Sequence, residues 1–378
     1  MWVKSFGGSN DESFHSVIPA ADGGFVATGN SRSSNLDMNG LHSTSNTEPI
    51  AIAVKYDTNG NIQWKKSFGG NKPDHFHALT PTSDGGVIQG LVKNKCRSID
   101  GCNTFQLYFC LNTYFIHRRG NMLKKTIAFF LSVLMAFGSI SVVSASANSG
   151  VLVFGGSQAD VFNSIVETAD GNFVAVGYSS STDGDMQGLN KGGFDAIIVK
   201  YDPNGNVLWK KSFGGSSYDE YKSVTSTPDG SLVAVGNSGS TDGDMQGLVK
   251  DYDGYGNGII VKYDANGNVL WKKSFGGSRH ESFASVTATS DGSLVAVGRS
   301  NSTDGDMQGL NKGNDDAIIV KYDPNGNVLW KKSFGGSSYD YYNSVASTPD
   351  GNLVAVGYSD STNGDMQGLN KGNDDAII

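Results

Sequence analysis

The chain consists of short apolar runs that alternate with polar turns. Typical runs are AIIVKYD (196–202), VLWKKSF (207–213) and LVAVGNS (232–238), which are rich in β-branched residues. Asn-Gly and Asp-Gly pairs separate many of these runs, and such pairs favour tight β-hairpin turns because they tolerate positive φ. Only residues 122–147 depart from this pattern with a continuous apolar block. The pattern therefore predicts an all-β chain built from hairpins.

The hairpins recur as a repeat of about sixty residues. WKKSFGG occurs at Trp64, Trp209, Trp271 and Trp330, and the opening MWVKSFGG is a near copy. Each unit provides four strands in a meander, followed by a polar loop such as STDGDMQG. Four antiparallel strands per tandem unit predict the blades of a β-propeller, here an incomplete one. A β-helix is the alternative, but its rungs are shorter and lack paired hairpins.

All five tryptophans of the chain occupy the same position in the repeat. Because an indole removes a large apolar area from water when it is buried, a recurring tryptophan favours packing between blades over ligand binding. We therefore predict a structural role in the blades for Trp2, Trp64, Trp209, Trp271 and Trp330.

A segment without repeats interrupts the pattern. Residues 93–121 match no unit and contain all three cysteines. Residues 122–147 resemble a secretory signal, with Lys124 and Lys125, an apolar block, and the small residues Ala145-Ser146-Ala147. The apolar block is short for a bilayer span, so a membrane anchor and a buried core helix are the alternatives. In each case we expect one internal apolar helix here.

These features divide the chain into four segments. Residues 1–92 hold about one and a half repeats, 93–121 form an aberrant linker, 122–147 form the signal-like segment, and 148–378 hold nearly four repeats. A signal in mid-chain suggests that two reading frames have been joined. This hypothesis predicts a secreted or cell-surface protein whose mature chain begins near Asn148.

Charge limits the partners. The net charge is −8 and the pI is about 5.2, so nucleic-acid phosphates would be repelled. We expect membrane contact only through the signal-like segment. The repeats contain no cysteine, so their stability must come from stacking rather than from disulfides.

Aspartates in the repeated STDGDMQG loop are the candidate metal ligands. Oxygen ligands in an Asp-x-Asp pattern suit Ca²⁺, although the bidentate Glu of an EF-hand is missing and Asp-Gly-Asp is also ordinary turn chemistry. No other cofactor is expected. The candidate calcium ligands are Asp183, Asp185, Asp242, Asp244, Asp304, Asp306 and Asp365.

The sequence favours binding over catalysis. The six histidines are not in register, no nucleophile motif occurs, and near-identical units lack the asymmetry of an active site. Repeated loops instead favour multivalent binding. Tyrosines at the start of units are candidates for stacking on sugar rings, with packing in a sheet edge or core as the alternative. They are Tyr218, Tyr221, Tyr339, Tyr341 and Tyr342.

VKYDPNGNVLWKKSFGG (199–215 and 320–336) resembles the tryptophan-docking stretch of quinoprotein-type propeller repeats. The whole unit is more similar to the repeats of about sixty residues in propellers of bacterial secreted and cell-surface proteins. This resemblance covers nearly all of 2–90 and 151–378. It implies the propeller architecture and an exported protein, but not an activity, because one fold hosts many functions. The repeated loops favour a non-enzymatic protein that binds glycan or protein ligands. The alternatives are a scaffold module of a larger surface protein and a fragment of a quinoprotein-like or glycan-processing enzyme.

Overall fold

The computed structural model describes residues 2–20, 22–41, 49–68, 153–248 and 256–378, together with the backbone of two strands between 74 and 93. It is nearly all β, as predicted, with five antiparallel four-stranded sheets and one two-stranded sheet. The only helical elements described are five 3₁₀ turns of three residues each. Except for Lys93, the segment 93–121 and the signal-like segment with its expected helix lie outside the described residues.

We number the strands in chain order and the blades along the stack. Blade 1 contains β8 (Asp160–Glu167), β9 (Phe173–Ser179), β10 (Asp195–Tyr201) and β11 (Val207–Phe213). Blade 2 contains β12 (Asp219–Ser226), β13 (Leu232–Ser238), β14 (Asn257–Tyr263) and β15 (Val269–Phe275). Blade 3 contains β16 (Glu281–Ala288), β17 (Leu294–Ser300), β18 (Asp316–Tyr322) and β19 (Val328–Phe334). Blade 4 combines β20 (Asp340–Ser347), β21 (Leu353–Ser359) and β22 (Asp375–Ile377) with β1 (Ser5–Phe6). Blade 5 contains β2 (Glu12–Pro19), β3 (Phe25–Ser31), β4 (Ile50–Tyr56) and β5 (Ile62–Phe68), and β6 (Asp74–Pro81) pairs with β7 (Val87–Lys93).

The predicted Asn-Gly turns form the hairpins between the third and fourth strands. In blade 3, Asp323 Oδ1 accepts hydrogen bonds from the backbone N–H groups of Asn325 and Asn327 at 2.9 and 2.8 Å. Gly326 completes this turn at a φ of +81°, which favours glycine because it has no Cβ. The DPNGN sequence therefore fixes both the turn and the register of the strands that flank it.

Blades stack through the first strand of each sheet. Strands β8, β12, β16, β20, β2 and β6 contact one another in that order. Aromatic pairs seal the junctions: Phe213 of blade 1 meets Tyr221 of blade 2 at 5.9 Å between ring centroids, and Phe275 meets Phe283 at 5.6 Å. These two junctions each bury one ring from either blade. Within the described residues the stack is not closed into a ring.

In blades 1 and 2 the recurring tryptophan lies against the turn of the next blade. Trp209 Nε1 donates to the carbonyl of Ala265 at 3.1 Å, and Trp271 Nε1 donates to that of Pro324 at 3.1 Å. A Cβ on Gly326 would lie only 3.0 Å from the Trp271 ring, so the absence of a side chain there permits the contact. These indoles are partly exposed and rest on the neighbouring hairpin, rather than filling the blade interior.

Blade 4 unites the first and last repeats of the chain. Ser5 pairs with Ile377 and Phe6 with Ala376, and Lys4 and Ile378 exchange backbone hydrogen bonds at 3.1 and 3.0 Å. The N-terminal segment thus provides the fourth strand of a sheet whose other three strands come from residues 340–377. The repeats of residues 2–93 and those of residues 153–378 consequently share one sheet.

Candidate functional site

The predicted calcium ligands brace the Gly-Gly turn that opens each unit. Asp242 Oδ1 accepts from the Ser216 N–H at 2.7 Å, and Asp244 Oδ2 accepts from the Gly214 N–H at 3.1 Å. The hydrogen bond from Ser216 lowers the pKa of Asp242. The same bonds join Asp183 to Ser157, Asp185 to Gly155, Asp304 to Ser278, Asp306 to Gly276 and Asp365 to Gly335.

Two of these aspartates also join neighbouring blades. Lys191 Nζ of blade 1 lies 2.6 Å from Asp244, and Lys312 Nζ of blade 3 lies 2.9 Å from Asp365. Within the described ranges, no group of three His, Cys, Asp or Glu side chains is placed to hold a metal ion. The loop carboxylates thus have hydrogen-bonding partners within the protein, and calcium binding remains a prediction.

The predicted ligand tyrosines do not form one surface. Tyr221 is fully buried, and its hydroxyl lies 2.5 Å from that of Tyr263, so it belongs to the core and is inaccessible to a ligand. Tyr342 is half-buried against Phe334 at 6.1 Å. Only Tyr218 and Tyr339 are clearly exposed, at 39% and 46%. For Tyr221 the structure therefore corresponds to the core-packing alternative.

Comparison of the blades reveals a different candidate site. The core runs are nearly identical, but several other positions change chemistry from blade to blade, and four of these lie together at one end of the sheet. We call them the variable edge. It comprises Ala159, Val161, Tyr178 and Phe194 (blade 1); Tyr218, Glu220, Asn237 and Gly256 (blade 2); His280, Ser282, Arg299 and Asp315 (blade 3); Tyr339, Tyr341, Tyr358 and Asp374 (blade 4); and Asp11, Ser13, Asn30 and Pro49 (blade 5).

Strand pairing brings the four positions together. The second and third positions are direct cross-strand partners, as in Glu220 with Asn237 and Tyr341 with Tyr358. The first position of one blade meets the fourth position of the preceding blade, since Tyr218 forms a bridge with Phe194. Neighbouring blades therefore form one continuous edge. The sequence signal for this site is the difference between repeats, whereas the repeated loop aspartates accept hydrogen bonds from backbone groups of their own blade.

One polar-aromatic cluster of the variable edge joins blades 3 and 4. The Arg299 guanidinium lies 4.8 Å from the centroid of the Tyr341 ring and 3.4 Å from an Asp315 oxygen. The Tyr341 hydroxyl donates to Asp315 at 2.8 Å, and burial is the main reason that its pKa is raised. Tyr339 stacks on Tyr341 with 6.4 Å between centroids and 7° between planes. Arg299 and Asp315 thus fix a pair of parallel rings.

Carboxylates flank this cluster on the side of blade 5. Burial, followed by the charges of Asp11 and Asp360, raises the pKa of Asp374 to about 6. Asp360 accepts from the backbone N–H of Tyr339 at 2.6 Å, which fixes the base of the exposed ring. The cluster therefore offers flat aromatic faces next to hydrogen-bonding carboxylates.

A second cluster joins blades 1 and 2. Tyr178, Phe194 and Tyr218 form a triangle with centroid distances of 5.3–6.0 Å. The Tyr218 hydroxyl donates to Glu220 at 2.5 Å, and Lys222 Nζ lies 2.9 Å from the same carboxylate. Blade 3, which carries His280, Ser282 and Arg299, lies between this cluster and Tyr339.

Comparisons with known proteins find only distant structural similarity. No family model and no curated protein sequence matches the chain. A protein of unknown function from Bacteroides caccae is 15% identical over 52% of each chain, with a TM-score of 0.30. Sqt1 from Chaetomium thermophilum is 12% identical, with 94% of this chain and 68% of that chain covered and a TM-score of 0.33. The extracellular domain of a proposed hybrid two-component system from B. thetaiotaomicron is 12% identical, covering 90% and 51%, with a TM-score of 0.22.

The chain spans about half the length of the Bacteroides caccae protein that it matches. Similarity at this level carries no argument about ligands or activity. Among the described residues, no helix has the length and apolarity needed to cross a bilayer. The function must therefore be argued from the variable edge.

Proposed function

We propose that the protein is a non-enzymatic, exported binding module whose variable edge recognises a glycan. The observation that supports this is an edge at which four positions differ between blades with nearly identical core runs, and at which exposed aromatic rings lie beside charged groups. A purely structural repeat has no need to vary these positions together. An extracellular location is part of the proposal, because the signal-like segment precedes most of the repeats.

Sugar rings suit this edge for a chemical reason. The C–H faces of a sugar stack on aromatic rings, and its hydroxyls bond to carboxylates, amides and guanidinium groups. Tyr339 presents an exposed face held parallel to Tyr341, and Tyr218 presents a second exposed ring two blades away. The two clusters differ in their surroundings, so they favour one extended ligand over several identical subsites.

A glycan array probed with the full chain tests this proposal. We expect binding to one class of oligosaccharide and a loss of at least tenfold in affinity for Tyr339→Ala. Tyr218→Ala should also weaken the binding of ligands long enough to reach both clusters. Leu329→Ala is the matched control, because Leu329 is 54% exposed on the outer strand of blade 3, away from the variable edge. Binding that both tyrosine variants retain would contradict the proposal.

A role as a scaffold module is the second candidate, and one surface favours it. The outer strands expose apolar residues at matching positions, with Leu208, Leu270 and Leu329 exposed by 51–54%. Such a repeated strip suits contact with another protein. If Leu270→Ser and Leu329→Ser abolish association with a surface assembly while the tyrosine variants leave it intact, the scaffold role is supported instead. An enzyme fragment is the remaining proposal, and turnover of a glycoside or quinone substrate would support it.

A further inference from the structure

Two buried carboxylates face each other at three of the junctions between blades. At the junction of blades 1 and 2, Asp195 begins β10 and Asp219 begins β12, and both side chains are fully buried. One oxygen of each approaches the same point, since a Cβ on Gly214 would lie 2.8 Å from Asp195 Oδ1 and even closer to Asp219 Oδ2. We call these residues a junction pair. The equivalent junction pairs are Asp316 with Asp340 (blades 3 and 4) and Asp375 with Glu12 (blades 4 and 5).

Each junction pair has hydrogen-bond donors for three of its four oxygens. Asp195 Oδ2 accepts from the Lys191 N–H at 2.6 Å, and Asp219 accepts from the Gly215 N–H at 2.9 Å and from the hydroxyls of Ser238 and Ser240. The fourth oxygen lies on the third-strand aspartate and faces the other carboxylate. It has no hydrogen-bond partner within the described ranges in Asp195, Asp316 or Asp375. A proton held between the two carboxylates supplies this bond and removes their mutual repulsion.

The junction of blades 2 and 3 shows the same arrangement with an amide in place of one carboxylate. Asn257 occupies the third-strand position, and its Nδ2 donates to Glu281 Oε2 at 3.4 Å. Both side chains are buried, and a Cβ on Gly276 would lie 2.6 Å from Asn257 Nδ2. The amide thus supplies at every pH the donor that the junction pairs obtain only from a proton.

The first-strand acid of each junction pair also fastens the variable edge. The backbone N–H of Asp340 donates to the carbonyl oxygen of Asp315 at 2.7 Å, across the junction of blades 3 and 4. Asp340 lies between Tyr339 and Tyr341 in the chain, and Asp315 precedes Asp316. The junction pair therefore lies directly beside the cluster of aromatic and charged groups. The same backbone bond joins Asp219 to Phe194 at 2.7 Å and Glu12 to Asp374 at 2.8 Å.

We propose that a proton held by each junction pair keeps neighbouring blades together at the variable edge, and that its release to solvent as the pH rises loosens the edge. The regulation rests on the proposed function, because the variable edge is the surface that we propose to bind a glycan. A ligand that spans the junction of blades 3 and 4 binds only molecules in which the edge is joined, so its affinity should fall as the pH rises.

The surroundings of the junction pairs determine the direction of this effect. Burial raises the pKa of all six carboxyl groups, and the partner carboxylate raises the pKa of Asp195 and Asp316 further. A backbone hydrogen bond and the charge of a nearby lysine lower the pKa of each third-strand aspartate; these lysines are Lys191, Lys312 and Lys371. The other titratable groups that face the pairs are Asp37, Asp360, Asp374, Tyr221 and Tyr342.

The raised pKa values mean that the folded protein binds more protons at these positions than the unfolded chain does. The contribution of a junction pair to blade docking is therefore complete below about pH 4, where an aspartate in the unfolded chain titrates. It is lost as the pH rises through the pKa of the folded protein, which is about 6 for Asp316. Acid thus favours the joined edge.

Hydrogen exchange at the backbone N–H of Asp340 measures the junction directly, because this group donates across it. The amide of Ala296, in the middle of β17, is the reference for the opening of a whole blade. After correction for intrinsic rates, we expect the Asp340 amide to open at least about tenfold more often at pH 7 than at pH 4.5. The amide of Glu281, where Asn257 supplies the donor, should change less.

Two variants exchange aspartate and asparagine between equivalent junctions. Asp316→Asn should remove the pH dependence at the Asp340 amide, and Asn257→Asp should increase it at the Glu281 amide. General loss of folding cannot produce opposite effects at two equivalent positions. Unchanged pH dependence at Asp340 in Asp316→Asn, or at Glu281 in Asn257→Asp, would each overturn the proposal.

Glycan binding at the same two pH values separates this inference from the proposed function. For an oligosaccharide that requires Tyr339, Asp316→Asn should bind at least about twofold more tightly than the wild type at pH 7 and equally at pH 4.5. Asp374 also titrates at the edge, but it is present in both chains, so the comparison removes its contribution. Equal affinities at pH 7 would overturn the control of the ligand by the junction pair. If no glycan binds while hydrogen exchange responds as expected, the proposed function fails and the proton-dependent edge is supported.

Discussion

Asp316 and Asp340 lie on either side of the space above Gly335 that a Cβ would occupy. A Cβ there would be 2.5 Å from Asp316 Oδ1 and 2.4 Å from Asp340 Oδ2, and both side chains are fully buried. Asp316 Oδ1 has no hydrogen-bond partner among the described residues. Burial raises the pKa of Asp316 to about 6. The backbone hydrogen bond and the charge of Lys312 lower this pKa, and the charge of Asp340 raises it further.

This pair makes stability depend on pH. An aspartate in the unfolded chain titrates near pH 4, whereas Asp316 in the folded protein has a pKa of about 6. Between these two pH values the folded protein therefore binds more protons at this position than the unfolded chain does. The free energy of unfolding should therefore fall as the pH rises from about 4 to 6, and the loss should be complete above pH 6. We expect Asp316→Asn to raise the free energy of unfolding at pH 7, by at most about 3 kcal/mol. Blade 2 already has this solution, since Asn257 Nδ2 donates to Glu281 at 3.4 Å.

Denaturant unfolding at pH 4.5 and pH 7 measures this effect. Asp323→Asn is the control, because hydrogen bonds from Asn327 lower the pKa of Asp323. The contribution of Asp323 is present above its unfolded pKa and is lost as the pH falls, so its substitution should bring no gain at pH 7. If Asp316→Asn destabilises the protein equally at both values, the buried pair does not titrate as described.

A glycine exchange measures the contact between tryptophan and the next blade. Gly326→Ala places a methyl group 3.0 Å from the Trp271 ring in a backbone with φ of +81°, whereas Gly351→Ala meets nothing within 4 Å at φ of +83°. Both variants incur the strain of positive φ, about 1–2 kcal/mol. We expect Gly326→Ala to lose about 1 kcal/mol more, because its methyl group overpacks the indole. Equal losses in thermal unfolding would show that the indole does not rest on the turn.

Removal of a loop carboxylate separates turn bracing from calcium binding. Asp244→Ala deprives the Gly214 N–H of its acceptor and Lys191 of its partner. We expect a loss of about 1–3 kcal/mol that is the same with added Ca²⁺ and with EGTA. If the wild-type protein loses stability in EGTA and Asp244→Ala does not, calcium occupies this loop.

Truncation of one N-terminal ring tests the composite nature of blade 4. Phe6 is 1% exposed and meets Phe14 at 5.8 Å, so Phe6→Ala should cost about 3–5 kcal/mol. It should also speed hydrogen exchange at Asp375–Ile377, which pairs with β1. Phe213→Ala removes an equally buried ring from blade 1 and should leave that exchange unchanged. Slow exchange at β22 in Phe6→Ala would show that β1 does not hold this sheet together.

Local sequence features were sufficient to predict the hairpins and the four-stranded blades. A turn such as Asp323–Asn327 is determined by side chains two to four residues apart, so its signal lies within one short window. The pairing of Ser5 with Ile377 joins residues 372 positions apart, and no local pattern specifies such a partner. Similarity to the repeated WKKSFGG motif predicts that MWVKSFGG is a fourth strand, but only the structure identifies the sheet to which it belongs.

Functional residues were harder to predict, for a similar reason. The repeat pattern indicated Asp242 and Asp244 as candidate calcium ligands. Their hydrogen-bond donors, Ser216 and Gly214, lie 26 and 30 residues earlier in the chain, where no local pattern identifies them. Tyr218 and Tyr221 look alike in sequence, yet one is exposed and the other fully buried. Alternation along an extended chain accounts for this difference, because residues three positions apart lie on opposite faces. Residues that the repeats share therefore indicate the scaffold, and residues that differ between the repeats indicate the candidate site.

The contact of the Trp209 and Trp271 indoles with a main-chain carbonyl and a glycine has a consequence for modularity. Such a contact recognises the shape of a turn and ignores every side chain beyond it, so any unit can follow any other without a matched partner. The contacts that hold these blades together are therefore separate from the variable edge, which continues from one blade to the next. The architecture thereby separates cohesion from recognition and allows ligand preference to change without loss of the stack.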